Sequence, residues 1–168
     1  LAWTTTPWTL PANNGLAVGE KIKYNLIETF NKYTESKINV IIAEKCIEKF
    51  FDSNNLKTSE ELIFDKQNLP YKILKTFKGK DLIGFDYDQL LPYVKAEKPA
   101  FTVVSGDFVT TDEGTGIVHI SLTFGSDDFY VSKKNNLPGI FVKNDKNEDV
   151  PIVDKSGKFV KEIIDFAG

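Results

Sequence analysis

Residues 114–128 contain Gly114-Thr115-Gly116-Ile117-Val118-His119-Ile120-Ser121-Leu122, then Phe124-Gly125-Ser126-Asp127-Asp128. A tight glycine turn feeding a β-branched run reads as a strand. Side chains alternate faces along a strand. Ile117, His119 and Ser121 therefore share one face, and Val118, Ile120 and Leu122 share the other. The second face is wholly apolar, so the His119 face is the one expected to line a pocket. Ser126-Asp127-Asp128 opens a helix expected to run to about Lys134. Its first-turn carboxylates suit the positive end of the helix dipole. A cap is the ordinary reading of such an aspartate, and Asp127 is assigned to it. A lone strand histidine also has an ordinary reading, as a satisfied structural residue.

Outward from this unit the chain is β-rich. Lys23 to Phe30 and Lys37 to Ala43 are strand-prone, with a polar turn between them. Glu44 to Phe51 is helical in character, with Cys46, Ile47, Phe50 and Phe51 on one apolar face. Tyr71 to Phe77 and Asp81 to Tyr87 read as strands flanking a Lys78-Gly79-Lys80 turn. Phe101 to Val104 and Ile140 to Val142 are further strands. Asn13-Asn14-Gly15 is a turn signal leading into Leu16-Ala17-Val18. There is no repeat, low-complexity stretch or linker, so residues 1–168 are expected to form a single domain of β-rich α+β class.

Composition narrows the function. The chain has 168 residues, 41% hydrophobic and 27% charged, as in ordinary globular proteins. No apolar run approaches the ~20 residues of a membrane helix. One cysteine and one histidine exclude an internal disulfide, a cysteine zinc site and every two-histidine metal motif. All 21 basic residues are lysine, so phosphate contacts must use lysine or backbone N–H groups. The net charge of −3 carries no strong nucleic-acid footprint. The chain lacks methionine and starts abruptly at Leu1-Ala2-Trp3, which leads us to expect a piece of a longer protein.

Several nucleotide and hydrolase signatures fail. Gly79 to Gly84 has phosphate-loop spacing but lacks the following Lys-Ser/Thr. Gly114-Thr115-Gly116 opens a strand and has no third glycine, so it is no dinucleotide fingerprint. No nucleophile elbow accompanies His119. What remains is Trp3-Thr4-Thr5-Thr6-Pro7-Trp8-Thr9-Leu10-Pro11. If this segment is extended, Thr4 and Thr6 share a face and Thr5 points away. The row suits the positioning of water and carbonyl oxygens. It also reads as a threonine-rich β-edge with two core tryptophans.

Together, Trp3 to Asn13, Gly106 to His119 and Phe124 to Asp128 resemble the editing domain inserted into isoleucyl-tRNA synthetases, over the whole chain. Leucyl and valyl relatives typically read Thr-Thr-Arg-Pro where this chain has Thr6, and Trp8 after the proline also resembles the isoleucine branch. The family's usual Ala-Pro is replaced by Ser121-Leu122. The resemblance implies a barrel-like fold with neighbouring termini. It also implies hydrolysis of valine wrongly esterified to isoleucine tRNA. One methylene discriminates by only about 1–3 kcal/mol, a limit for which this family is itself the standard example, so a second sieve is needed.

By resemblance, Asp128 binds the α-ammonium of the amino acid. His119 limits the pocket, and Thr4, Thr5 and Thr6 line it around ester, water and ribose. Trp8 is a wall aromatic, and Trp3 and Thr9 are substrate-binding members of the same peptide. Asp128 and the three threonines form the catalytic set, around a positioned water with no metal and no covalent nucleophile. No cofactor is expected here, ATP being used by the absent synthetic domain. The implied partners are the 3′ end of aminoacylated isoleucine tRNA and the parent catalytic domain, in a cytoplasmic monomer without membrane contact. Two alternatives stay open: an inactive module that only binds the tRNA end, and the equivalent domain of a valyl or leucyl enzyme.

Overall fold

The computed structural model describes residues 1–58, 61–154 and 156–167. Its framework is two three-stranded sheets. β1 (Gly15–Val18) lies between β5 (Thr102–Ser105), parallel to it, and β6 (Ile117–Ile120), antiparallel. β2 (Lys23–Phe30) lies between β3 (Lys37–Ala43) and β4 (Lys72–Lys78), antiparallel to both. The β2–β3 pair runs in unbroken register from Tyr24 opposite Ala43 to Phe30 opposite Lys37. Its β-branched and aromatic residues suit a pleated surface. β4 shifts register between Leu26 and Ile27 and leaves its lysines outward, which blunts an exposed sheet edge. A third pair, β7 (Phe141–Lys143) and β8 (Asp149–Pro151), forms an antiparallel hairpin.

The two larger sheets share one core. Val18 and Ile117 from the first meet Tyr24, Ile27, Ile42 and Ala43 from the second, with Cys46 and Ile47 from a 3-10 turn at Glu44–Lys49. This is the expected barrel-like, β-rich packing. Among the described residues the ladders remain separate sheets. Tyr24 ties the sheets together: it is fully buried, donates to Gly116 O at 2.6 Å and accepts the Gly19 N–H at 3.1 Å. Gly116 sits at φ +75°, and a Cβ there would lie 2.5 Å from Ala43 Cβ. The site strand can therefore approach β3 only through glycine.

The other face of the first sheet packs Ala17, Val104 and Ile120 against Val131 of α1 (Ser126–Lys134) and against Leu137. The third hairpin packs Val142 with Ile140, Ile152 and Ile163 against Ala12 and Phe101. Thus the threonine-rich N-terminal segment is held between the core and the C-terminal hairpin.

Asp81 to Tyr87 does not form the expected strand beside β4. Gly79–Asp81 is a 3-10 turn in which the Asp81 carboxylate accepts the Lys78 N–H, and Gly84 takes φ +88°. The segment instead runs along β5, with Gly84 and Tyr87 N–H groups donating to Val103 and Phe101 carbonyls. Asn13-Asn14 is not an exposed turn either: Asn13 is 5% and Asn14 0% exposed. Among the described residues no helix is long and apolar enough to cross a membrane. The expected approach of the two termini involves Gly168, which lies outside the described residues.

Candidate functional site

The threonine peptide is anchored on the free edge of β6. The Trp3 N–H donates to Ile117 O at 2.8 Å, and the His119 N–H donates to Trp3 O at 3.0 Å. Gly114 at φ +63° makes room for the Trp3 ring, which its Cβ would meet at 2.4 Å. The chain then turns at Pro7 into a 3-10 segment, Pro7–Ala12. Proline suits this first turn because its missing N–H would have no partner there. The Thr9 N–H and hydroxyl both donate to Thr6 O, at 2.9 and 2.8 Å.

This local turn builds a row of hydroxyls that ends on the histidine. Thr4 Oγ1 accepts the Thr6 N–H at 3.1 Å and lies 3.3 Å from Thr6 Oγ1. Thr6 Oγ1 is 3.2 Å from Thr9 Oγ1, and Thr9 Oγ1 is 2.9 Å from His119 Nε2. Thr4 and Thr6 share a face as the alternation implied, and Thr5 is exposed. Thr9 is 1% exposed, so its hydroxyl supports the imidazole from behind. Trp3 and Trp8 are 40% and 53% exposed, so neither is a core tryptophan.

His119 is 5% exposed, and both of its ring nitrogens are engaged. Asn13 Nδ2 lies 2.8 Å from Nδ1 and also donates to Gly15 O at 2.9 Å. An amide nitrogen has hydrogens and no lone pair to offer, so Nδ1 must accept. The proton therefore sits on Nε2 and points at Thr9 Oγ1, whose own hydrogen goes to Thr6 O. This assignment follows from the partners, as tautomers do when hydrogens are not seen. Burial pushes the His119 pKa down to about 4, so the imidazole is neutral at pH 7. Neither nitrogen is free to take a proton from water. Sequence reading put His119 on a pocket face because the opposite face was apolar; in the fold both faces are largely buried.

Asp128 reaches back from α1 to the end of β6. Its Oδ2 accepts the Ser121 N–H at 3.0 Å. Burial raises its pKa, the Ser121 bond opposes this, and the charge of Asp127 adds to the rise. Among the described residues no cation lies within ion-pairing distance of it. Replacement of Ala-Pro by Ser121-Leu122 leaves the N–H at 121 in place to hold Asp128. The Ser121 hydroxyl is buried without a partner among the described residues. Asp127 is not the cap it was expected to be. Gly125 occupies that position with no side-chain bond, and Asp127 faces a different cleft, with Asp107, Tyr130 and Lys134. Among the described residues no group of three His, Cys, Asp or Glu side chains is arranged to hold a metal ion.

Two members of this cluster were not assigned to it from sequence. Asn13 was read as part of a turn. Tyr87, whose hydroxyl donates to Asn13 Oδ1 at 2.5 Å, was read as the end of a strand. The available signal was an Asn-Asn pair directly after an apolar Leu-Pro-Ala run, where a buried amide is as compatible as a turn.

Comparison with known proteins now bears on the arrangement. The chain is 53% identical, over its whole length, to the isoleucine–tRNA ligase of Cytophaga hutchinsonii, and spans 15% of that relative. It is 45% identical to the Bacteroides fragilis ligase over 95% of the chain, and 38% identical to the Bdellovibrio bacteriovorus ligase over all of it. The solved structure of a leucyl enzyme's CP1 domain, GlLeuRS-CP1, superposes with a TM-score of 0.53 over 80% of this chain and 42% of that one. Its 18% identity makes this a likeness of fold alone. The chain is similar over its whole length to one segment of isoleucine–tRNA ligases. It spans about one seventh of the length of the curated relatives it matches. No protein-family model matches the chain.

Proposed function

We propose that this domain hydrolyses the ester of valine misattached to isoleucine tRNA and excludes isoleucine by size. The observation that carries the reading is the Thr4–Thr6–Thr9–His119 row, fixed on the same strand end that anchors the carboxylate of Asp128, which pairs with no cation among the described residues. Any aminoacyl ester presents an α-ammonium, and a half-buried carboxylate without a counter-ion is suited to receive it. Docking the ammonium on Asp128 orients the ester carbonyl toward the threonine hydroxyls. Those hydroxyls and nearby amides position a water for attack and stabilise the oxyanion that forms.

His119 serves as a wall on this reading. Its nitrogens are both committed to protein partners, so removing a proton from water would require breaking a buried bond. A rigid imidazole blocks an extra methylene because overpacking a close-packed wall typically costs about 1–3 kcal/mol.

The test is deacylation by the parent synthetase, with Val-tRNA(Ile) and Ile-tRNA(Ile) as substrates. Wild type should hydrolyse the valyl ester and spare the isoleucyl ester, and His119→Ala should hydrolyse both. Loss of both activities in His119→Ala would make it a base rather than a wall. No valyl hydrolysis by wild type above Asp128→Ala would leave a module that only binds the tRNA end.

A further inference from the structure

Tyr87 lies outside every motif that identifies the site. It comes from the segment that abandons β4 and runs along β5, where its N–H donates to Phe101 O and its ring packs edge-on against Phe101 at 6.0 Å. From there its hydroxyl reaches across 74 positions of sequence to Asn13 Oδ1. That contact matters because the Asn13 amide sets the protonation of the imidazole. With its oxygen toward Tyr87, the Asn13 nitrogen faces Gly15 O, Ile120 O and His119 Nδ1 together. Rotated by half a turn, it would present an oxygen to two carbonyl oxygens and would demand a proton on Nδ1. The proton on Nε2 would then be unnecessary, and Thr9 would lose its donor.

We infer that Tyr87 is a positioning residue that, through Asn13, holds His119 as the neutral tautomer protonated on Nε2. The inference deepens the proposed editing reading, because that tautomer is what turns the Thr9 hydroxyl toward Thr6. Its basis is nonetheless independent of any reaction. The four-residue line Tyr87–Asn13–His119–Thr9 has one consistent direction of donation: hydroxyl to amide oxygen, amide nitrogen to Nδ1, Nε2 to hydroxyl. Burial raises the Tyr87 pKa, so its hydroxyl stays protonated as a donor at all ordinary pH.

His119 is the single histidine of the chain, so its ring nitrogens can be read alone by 15N NMR. In the wild-type chain Nδ1 should resonate as an unprotonated acceptor and Nε2 as a protonated nitrogen at pH 7. Tyr87→Phe keeps the ring against Phe101 and deletes only the donor. In it the two 15N shifts should move toward each other as the second tautomer becomes populated, and the His119 titration midpoint should rise. In the parent synthetase the same variant should raise hydrolysis of Ile-tRNA relative to Val-tRNA several-fold. Unchanged 15N shifts and midpoint in a folded Tyr87→Phe would overturn the inference. So would a wild-type spectrum with the proton on Nδ1, which needs no variant to fold. Should the wild-type synthetase hydrolyse neither ester, the editing reading fails, and the 15N result still decides the role of Tyr87.

Discussion

Acidification should weaken this fold in a way traceable to one side chain. His119 has its pKa pushed from an ordinary 6.5 down to about 4 by burial. Between those values the unfolded chain carries a proton on the imidazole and the folded chain does not. Folding therefore expels a proton, and stability rises with pH across that window. The contribution is fully present above pH 6.5 and is lost as pH falls toward 4. A difference of 2.5 units corresponds to about 3 kcal/mol, at roughly 1.4 kcal/mol per pH unit. That is a sizeable share of the ~5–15 kcal/mol that holds a domain together.

The perturbation is His119→Gln, which removes the titration and keeps an amide able to donate to Thr9. Urea unfolding of both proteins between pH 4 and pH 7 supplies the comparison. Carboxylates common to the two proteins cancel in the difference. Asp128 is among them: burial raises its pKa, so it acts in the opposite sense, losing stability as pH rises through its folded value. The stability advantage of wild type over the variant should shrink by about 3 kcal/mol on going from pH 7 to pH 4. A difference that stays flat across that range would mean that the ring titrates as if solvated. The Asn13–His119–Thr9 geometry would then be wrong.

Asp128→Ala should lower the kcat/KM of valyl-tRNA hydrolysis by an amount worth about 2–5 kcal/mol, the usual cost of deleting one partner of a desolvated charge pair. Asp127→Ala should leave hydrolysis unchanged and cost no more than about 1 kcal/mol of stability, because it makes only a first-turn dipole contact. Equal kinetic effects would mean that the wrong aspartate has been assigned. Ser121→Ala should raise stability by about 1 kcal/mol in urea unfolding, since it removes a buried hydroxyl with no partner and keeps the N–H that holds Asp128. Tyr24→Phe should lower stability by about 1–3 kcal/mol, because Gly116 O and the Gly19 N–H lose their shared partner between the sheets.

What could be read from the sequence was what local pattern determines. Lys23–Phe30, Lys37–Ala43 and Ser126–Lys134 form as strand, strand and helix with the expected bounds, because turn residues and first-turn acids punctuate them. The threonine peptide and the Gly114–His119 strand were legible as a pair from resemblance, and in the fold they are adjacent. The misreadings share one cause. Asp81–Tyr87 looks like the second arm of a hairpin, but its hydrogen-bonding partner is β5, well beyond the turn. Asn13-Asn14 looks like a solvated turn, yet their amides are used by residues more than 100 positions away. Asp127 looks like a cap, but the backbone at Gly125 takes that position without it. Polar residues are ambiguous in sequence because burial or exposure depends on partners that sequence spacing does not bring together.

The protonation states follow one electrostatic logic. A carboxylate near an imidazole ordinarily favours imidazolium, and the two charges would then neutralise each other. In this domain burial lowers the His119 pKa and keeps the ring neutral. Nδ1 faces an amide donor and Nε2 a hydroxyl, so both nitrogens are held by neutral partners. Asp128 accepts the Ser121 N–H, a neutral dipole that fixes its direction without cancelling its charge. The ring and the carboxylate are thus held separately at one strand end: His119 between two neutral partners, Asp128 by the Ser121 N–H. On the proposed reading the two roles stay distinct: the Tyr87–Asn13 pair fixes the wall without touching the amino acid, and capture of the ammonium rests on Asp128.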